Sequence, residues 1–192
     1  MRLLPGLVLF GAALALTVEA RLGTNPWTVF HEGAARHLGV SIGTMVTATG
    51  LILVVGFRPL GEPLGLATVA NAVGVGISVD ATLWAIPDLG PLWLRVVALA
   101  VAPPLLGVAS GLYLGAGLGP GPRDGLMTAL GRRGMKISVA RTVIEMTALA
   151  IGWLLGGTVG IGTIWFAASV GWFVRSFIHR FELPEDRAAV SG

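Results

Sequence analysis

The chain has 192 residues, 54% of them apolar and only 12% charged, with a mean hydropathy of +0.82. A soluble domain carries about 25% charged residues, so this is the composition of an integral membrane protein. The net charge of +3 and pI near 10.6 then speak of topology and anionic headgroups rather than nucleic acid, and the absence of cysteine excludes disulfides and thiolate metal sites.

A membrane span needs about 20 mostly apolar residues. Residues 4–20 give the first, read as a span rather than a signal peptide because apolar runs continue along the chain. Residues 38–57 give a second without charge, and 64–87 a third that contains Asp80. The fourth covers 92–118, with Arg95 near its start. From Ile137 onward the apolar run is too long for one helix, and the glycines of "GWLLGGTVGIGT" divide it into spans at 137–156 and 159–177. Residues 181–192 form a polar tail.

Two intervals fit no span. They are "GTNPWTVFHEGAARHLG" after the first and "GPGPRDGLMTALGRRG" after the fourth. Each opens with Gly and Pro, and proline in the first turn suits a helix start because that N–H has no intrahelical partner. The expected helices, 24–38 and 120–134, are too short to cross a bilayer and are either re-entrant or interfacial.

The two halves correspond. Leu22, Gly23, Pro26 and Arg36 recur 96 residues on as Leu118, Gly119, Pro122 and Arg132. Leu60, Gly61, Gly65 and Thr68 recur 95 residues on as Leu155, Gly156, Gly160 and Thr163, and Val75–Gly76 recur as Val170–Gly171 at the same offset. This reading gives repeats at 1–90 and 91–180, each with three spans and one short helix. An odd number of spans inverts the second copy. With the N-terminus inside, nine basic residues fall on the cytoplasmic side and Arg21, Arg36 and Arg95 on the other, as the positive-inside rule requires. The expected fold is all-α: six transmembrane helices in two inverted repeats, in a bacterial cytoplasmic membrane with both termini cytoplasmic.

The stretches "NPWTVFHEGAARHLGVSIGT", "GLGPGPRDGLM" and "SVARTVIEMTALAIGWLLGGTVGIGT" resemble the YczE branch of the YczE/YyaS/YitT family of bacterial membrane proteins. The resemblance implies a polytopic membrane protein with transport as its expected role. It supplies neither a substrate nor catalytic residues.

Several residues carry candidate chemistry. The start of the second short helix presents free N–H groups and a positive dipole end, which favour anions. Arg123 adds a rigid fork of donors there, and Asp124 is a cap or a cation partner; a basic cytoplasmic loop is the plainer reading. Pro26 and Trp27 hold the corresponding places in the first repeat. Arg141 and Glu145, one turn apart, share a helix face. They form either a mutually neutralising pair or a gate, substrate or proton site, since charge within a span is costly. Asp80 is a further candidate, or an interfacial residue within reach of Arg95. His31 and His37, six residues apart, lack the i, i+4 spacing of a helical metal site, and no metal is expected. The glycine ladders Gly107–Gly111–Gly115 and Gly152–Gly156–Gly160 point to tight crossings within the chain or to a homodimer face.

No phosphate-binding loop, dinucleotide fingerprint or Ser/His/Asp arrangement occurs in the sequence, so neither an enzyme nor a cofactor is expected. Two function classes remain. One is a small secondary transporter or exporter of a small, anionic or carboxylate-bearing solute. The other is a non-transporting accessory, sensor or scaffold subunit. The expected partners are the lipid bilayer, the unknown small-molecule solute and, through the glycine faces, a second copy of the chain.

Overall fold

Apolar runs punctuated by Gly, Asn and Pro become helices along the whole chain. The computed structural model describes residues 3–60, 66–114 and 121–181. Among these lie eight helices: α1 (Leu3–Ala20), α2 (Pro26–Leu38), α3 (Ile42–Leu60), α4 (Leu66–Ala85), α5 (Leu92–Leu114), α6 (Pro122–Arg132), α7 (Ile137–Leu154) and α8 (Ile161–Phe181). Helices therefore occupy all six intervals expected as spans and both Pro-led intervals. The last residues of the expected fourth span and all but the first of the polar tail lie outside the described residues, as do Gly119 and Pro120. By length and apolarity α1, residues Leu92–Leu112 of α5, and α7 can each cross a bilayer; α2 and α3, bent by 111°, make a fourth if taken as one broken span.

The short helices have local causes. Asn25 caps α2, its side chain accepting from Thr28 N at 3.1 Å, and Pro26 takes the first turn. Gly39 ends α2 at φ 69°, a left-handed conformation that glycine adopts without strain. That stop moves the start of the next helix from the expected residue 38 to Ile42. α6 starts at Gly121–Pro122 with no side-chain cap and stops before Gly134 at φ 92°.

α1 and α5 pack against each other at the centre, with α4 on α1 and α8 on α5; α3 lies along α4, and α2 crosses α7. Leu7, Leu14, Val75, Val79, Leu106 and Phe166 form the main apolar cluster between them. In lipid, apolar transfer does not draw helices together, so close van der Waals packing must, and small residues permit it. Ala13, Ala15, Ala102 and Ala109 are fully buried at these contacts. A Cβ on Gly11 would strike Ser78, and one on Gly107 would strike Phe173. Of the second glycine ladder, Gly152 seats the backbone of Val29–Phe30 and Gly160 seats Leu22, whereas Gly156 faces open space. Gly107 of the first ladder and Gly152 and Gly160 of the second thus sit at crossings within the chain, and Gly115 lies outside the described residues. Large apolar side chains such as Ile52, Val55, Trp153 and Ile164 cover the outside, the surface a bilayer would cover.

Candidate functional site: a cavity shared by all eight helices

α2 is fixed before it can present anything. The Glu32 carboxylate is buried and accepts from Thr158 N at 2.8 Å, Thr158 Oγ1 at 2.7 Å and Arg36 at 2.5 Å. Arg36 also donates to Gly156 O at 2.7 Å. Thus α2 is bolted to the α7–α8 connection, and Gly33, Gly152 and Gly157 let the backbones meet there. Gly162 N donates to Leu22 O at 2.8 Å and ties the turn before α2 to the start of α8.

This anchoring aims the first turn of α2 into a central cavity of about 690 Å³ to which every helix contributes lining residues. The starts of both short helices reach it: Pro26 and Trp27 from α2, Pro122 and Arg123 from α6. Asp124 lines it beside Arg123, and Arg141 and Glu145 line it from α7. Six of the seven residues singled out in the sequence therefore converge on one space.

Asp80 does not. Its carboxylate accepts from Ser41 Oγ at 2.5 Å and from Gly43 N at 2.8 Å. It caps the first turn of α3, where orphan N–H groups and the helix dipole favour a negative charge. Asp80 therefore stands outside the cavity that the other six residues line and is a helix cap, not a substrate contact. Nor does Arg95 take Asp80 or Asp88. It donates to Ala20 O at 2.7 Å and Arg21 O at 3.0 Å, because the last carbonyls of α1 need donors. Arg21 takes Asp88 instead, at 3.2 Å.

The cavity wall is polar at the short helices and apolar opposite them. Arg141 Nε pairs with Glu145 at 3.1 Å. Their side chains are 50% and 24% exposed, so the protein does not enclose the pair. The ion pair of Arg123 is a 3.9 Å approach to Asp124, longer than a charge-assisted hydrogen bond. Arg175 of α8 joins them. Three guanidinium groups against two carboxylates leave the lining with a net positive charge.

His31, Asn71 and Arg175 also line the cavity, although the sequence reading did not place them at a solute site. His31 is only 7% exposed, and neither ring nitrogen finds a partner among the described residues. Trp27 Nε1 is likewise buried without one, and the two rings stand 6.1 Å apart. Their i, i+4 spacing on one helix face was the available signal. Asn71, an amide inside an apolar helix, was another such signal. Arg175 stands 95 residues after Asp80, the offset that also relates Val75–Gly76 to Val170–Gly171. Buried polar atoms without partners are rare in native proteins, and two such side chains on one cavity wall suit a ligand-binding surface.

Comparison with known proteins places the chain. The profile described as "Family of unknown function (DUF6198)" matches residues 1–179. An uncharacterized protein of Haemophilus influenzae is 34% identical over 178 residues, covering 92% of this chain and 82% of its own. The uncharacterized membrane protein YczE of Bacillus subtilis is 32% identical over 184 residues, covering 94% and 83%. The uncharacterized protein YyaS of the same organism is 22% identical over 165 residues, covering 83% and 82%. No solved structure matches. The chain is a membrane protein that belongs to the DUF6198 family, on its YczE-like branch.

Proposed function

We propose that this protein is a small secondary transporter of a small anionic solute, built as two inverted three-span repeats with the solute site between them. The observation that carries the reading is the convergence of both Pro-led helix starts, one from each half, on a single cavity with net positive lining. Transporters built from inverted repeats hold their substrate at the repeat interface, against helix N-termini. The packing supports the repeat: α1 packs on α4 as α5 packs on α8, and α2 packs on α7 as α6 packs on α3. In this reading residues 1–90 and 91–180 are the two repeats, and both termini are cytoplasmic by the positive-inside rule.

An asymmetry between the repeats suits alternating access. α3 packs along α4 and is latched to it by Asp80, whereas among the described residues α7 and α8 do not pack along each other. These are equivalent pairs in the repeat, so the two halves pack differently around the cavity, as two alternating states would require. An accessory or scaffold subunit would leave Arg141 and Glu145 in a closed salt bridge or facing a partner, whereas a transporter needs them on a polar cavity. Their position on the cavity wall favours transport.

The experiment is a metabolite uptake and efflux screen in proteoliposomes, with and without a pH gradient. Saturable, protein-dependent flux that falls in Arg123→Lys is expected, since a point charge cannot reproduce the guanidinium fork. Absence of protein-dependent flux for every solute class would refute the proposal.

A further inference from the structure

Resting on the transport reading, we infer that the cavity is built for an organic monoanion with an apolar body: a carboxylate at Arg123, an acceptor atom facing Trp27 and His31, and a hydrophobic portion against the opposite wall. Three independent features define this ligand.

The first is charge. Among the described residues Arg123, Arg141 and Arg175 line the cavity with Asp124 and Glu145, a surplus of one positive charge. A single negative charge balances that surplus, and a dianion would exceed it. Of the cations, Arg141 is engaged with Glu145 at 3.1 Å, while Arg123 approaches Asp124 no closer than 3.9 Å. Arg123 therefore keeps donors for a carboxylate, the group its planar fork fits. It projects from the first turn of α6, whose dipole adds positive potential there.

The second is the pair of buried polar side chains without partners. Trp27 Nε1 can only donate, and a neutral His31 offers one donor and one acceptor. Both line the cavity. The ligand atom beside Trp27 is thus an acceptor, a carboxylate oxygen or a hydroxyl.

The third is the remaining wall. Leu14, Val75, Leu106 and Phe166 are nearly fully buried, with Phe10 packed against them, and all five border the cavity. Inorganic phosphate or acetate would leave this wall uncovered. A cavity of about 690 Å³ falls in the range of small-molecule sites, which are mostly apolar with a few placed polar groups.

The test is equilibrium binding of radiolabelled 3-phenylpropanoate to the full chain in nanodiscs. The competitors are its unlabelled form, 3-phenylpropanamide, acetate and inorganic phosphate. The acid is expected to compete at least about tenfold better than each of the other three, the effect of one charge-assisted hydrogen bond. In Arg123→Gln its preference over the amide should collapse to within about twofold. Trp27→Phe, which keeps the ring and removes the donor, should weaken the acid several-fold, and a retained melting temperature shows that each variant is folded. Equal competition by acid and amide, tighter binding of phosphate or acetate, or no saturable binding would overturn the inference. Flux of another solute without 3-phenylpropanoate binding would overturn it while leaving transport standing. Binding with the expected preference but no flux of any solute would uphold it and refute transport.

Discussion

Replacing Glu32 by alanine should dislodge α2 and lower stability more than any other change to an ionisable side chain described here. The Glu32 carboxylate is 6% exposed and accepts from Thr158 N, Thr158 Oγ1 and Arg36. Hydrogen bonds to a charged group contribute about 1.5–3 kcal/mol each and do not add fully. Arg36 is 59% exposed and retains Gly156 O, so water relieves the stranded cation. Thr158 N and Thr158 Oγ1 lose their acceptor together. The net loss is therefore about 3–5 kcal/mol, that of removing one partner of a buried pair. Glu32→Gln keeps the shape but turns an NH₂ group toward one of the donors, and should cost about 1.5–3 kcal/mol. Unfolding in mixed detergent and SDS micelles, monitored by tryptophan fluorescence, gives these values. A Glu32/Arg36 double-alanine cycle should show coupling of about 1–3 kcal/mol. A Glu32→Ala loss below about 1 kcal/mol, or no coupling, would refute the view that this cluster bolts α2 to the α7–α8 connection.

Gly152→Ala places a Cβ against the backbone of Phe30 and should cost about 1–3 kcal/mol by forcing α2 off α7, read by the same unfolding assay. Gly39→Ala meets no neighbouring atom but holds φ 69°, so its loss of about 1 kcal/mol comes from the backbone alone and should leave ligand binding intact. Arg141→Ala should change stability by no more than about 1 kcal/mol, because its pair with Glu145 is not enclosed by the protein, yet flux should fall. Asp80→Ala should lose about 0.5–2 kcal/mol, the value of a helix cap, while Asp80→Asn retains most flux because Asp80 does not line the cavity.

The helices were legible because their signals are local. Asn25–Pro26 and Gly121–Pro122 announce helix starts, Gly39 and Gly134 announce stops, and the apolar runs set the lengths between. The meeting of Trp27 and Arg123 at one cavity was foreshadowed by the 96-residue offset that pairs Pro26–Trp27 with Pro122–Arg123. Less local facts were not legible. Glu32 and Thr158 are 126 residues apart, and no periodicity links an acidic residue on one helix to a loop amide in the other half. Asp80 read as a candidate site or an interfacial residue within reach of Arg95, because the amide at the start of α3 and the carbonyls at the end of α1 that the two satisfy are backbone groups no side-chain pattern marks. The exposure of the Arg141–Glu145 pair depends on how far α7 and α8 part, a tertiary quantity. His31 was weighed only as a metal ligand, and its burial beside Trp27 depends on the crossing of α2 over α7.

The central claim is that one cavity serves both faces of the membrane, and accessibility of a single cysteine tests it most directly. The chain has no cysteine of its own, and Thr49 on α3 lines the cavity. Thr49→Cys in inside-out and right-side-out vesicles should react with a membrane-impermeant thiol reagent from both faces. Saturating solute should shift the two rates in opposite directions, as expected when a ligand redistributes two states. Reaction from one face only, under every condition, would contradict the account and make the cavity a blind pocket.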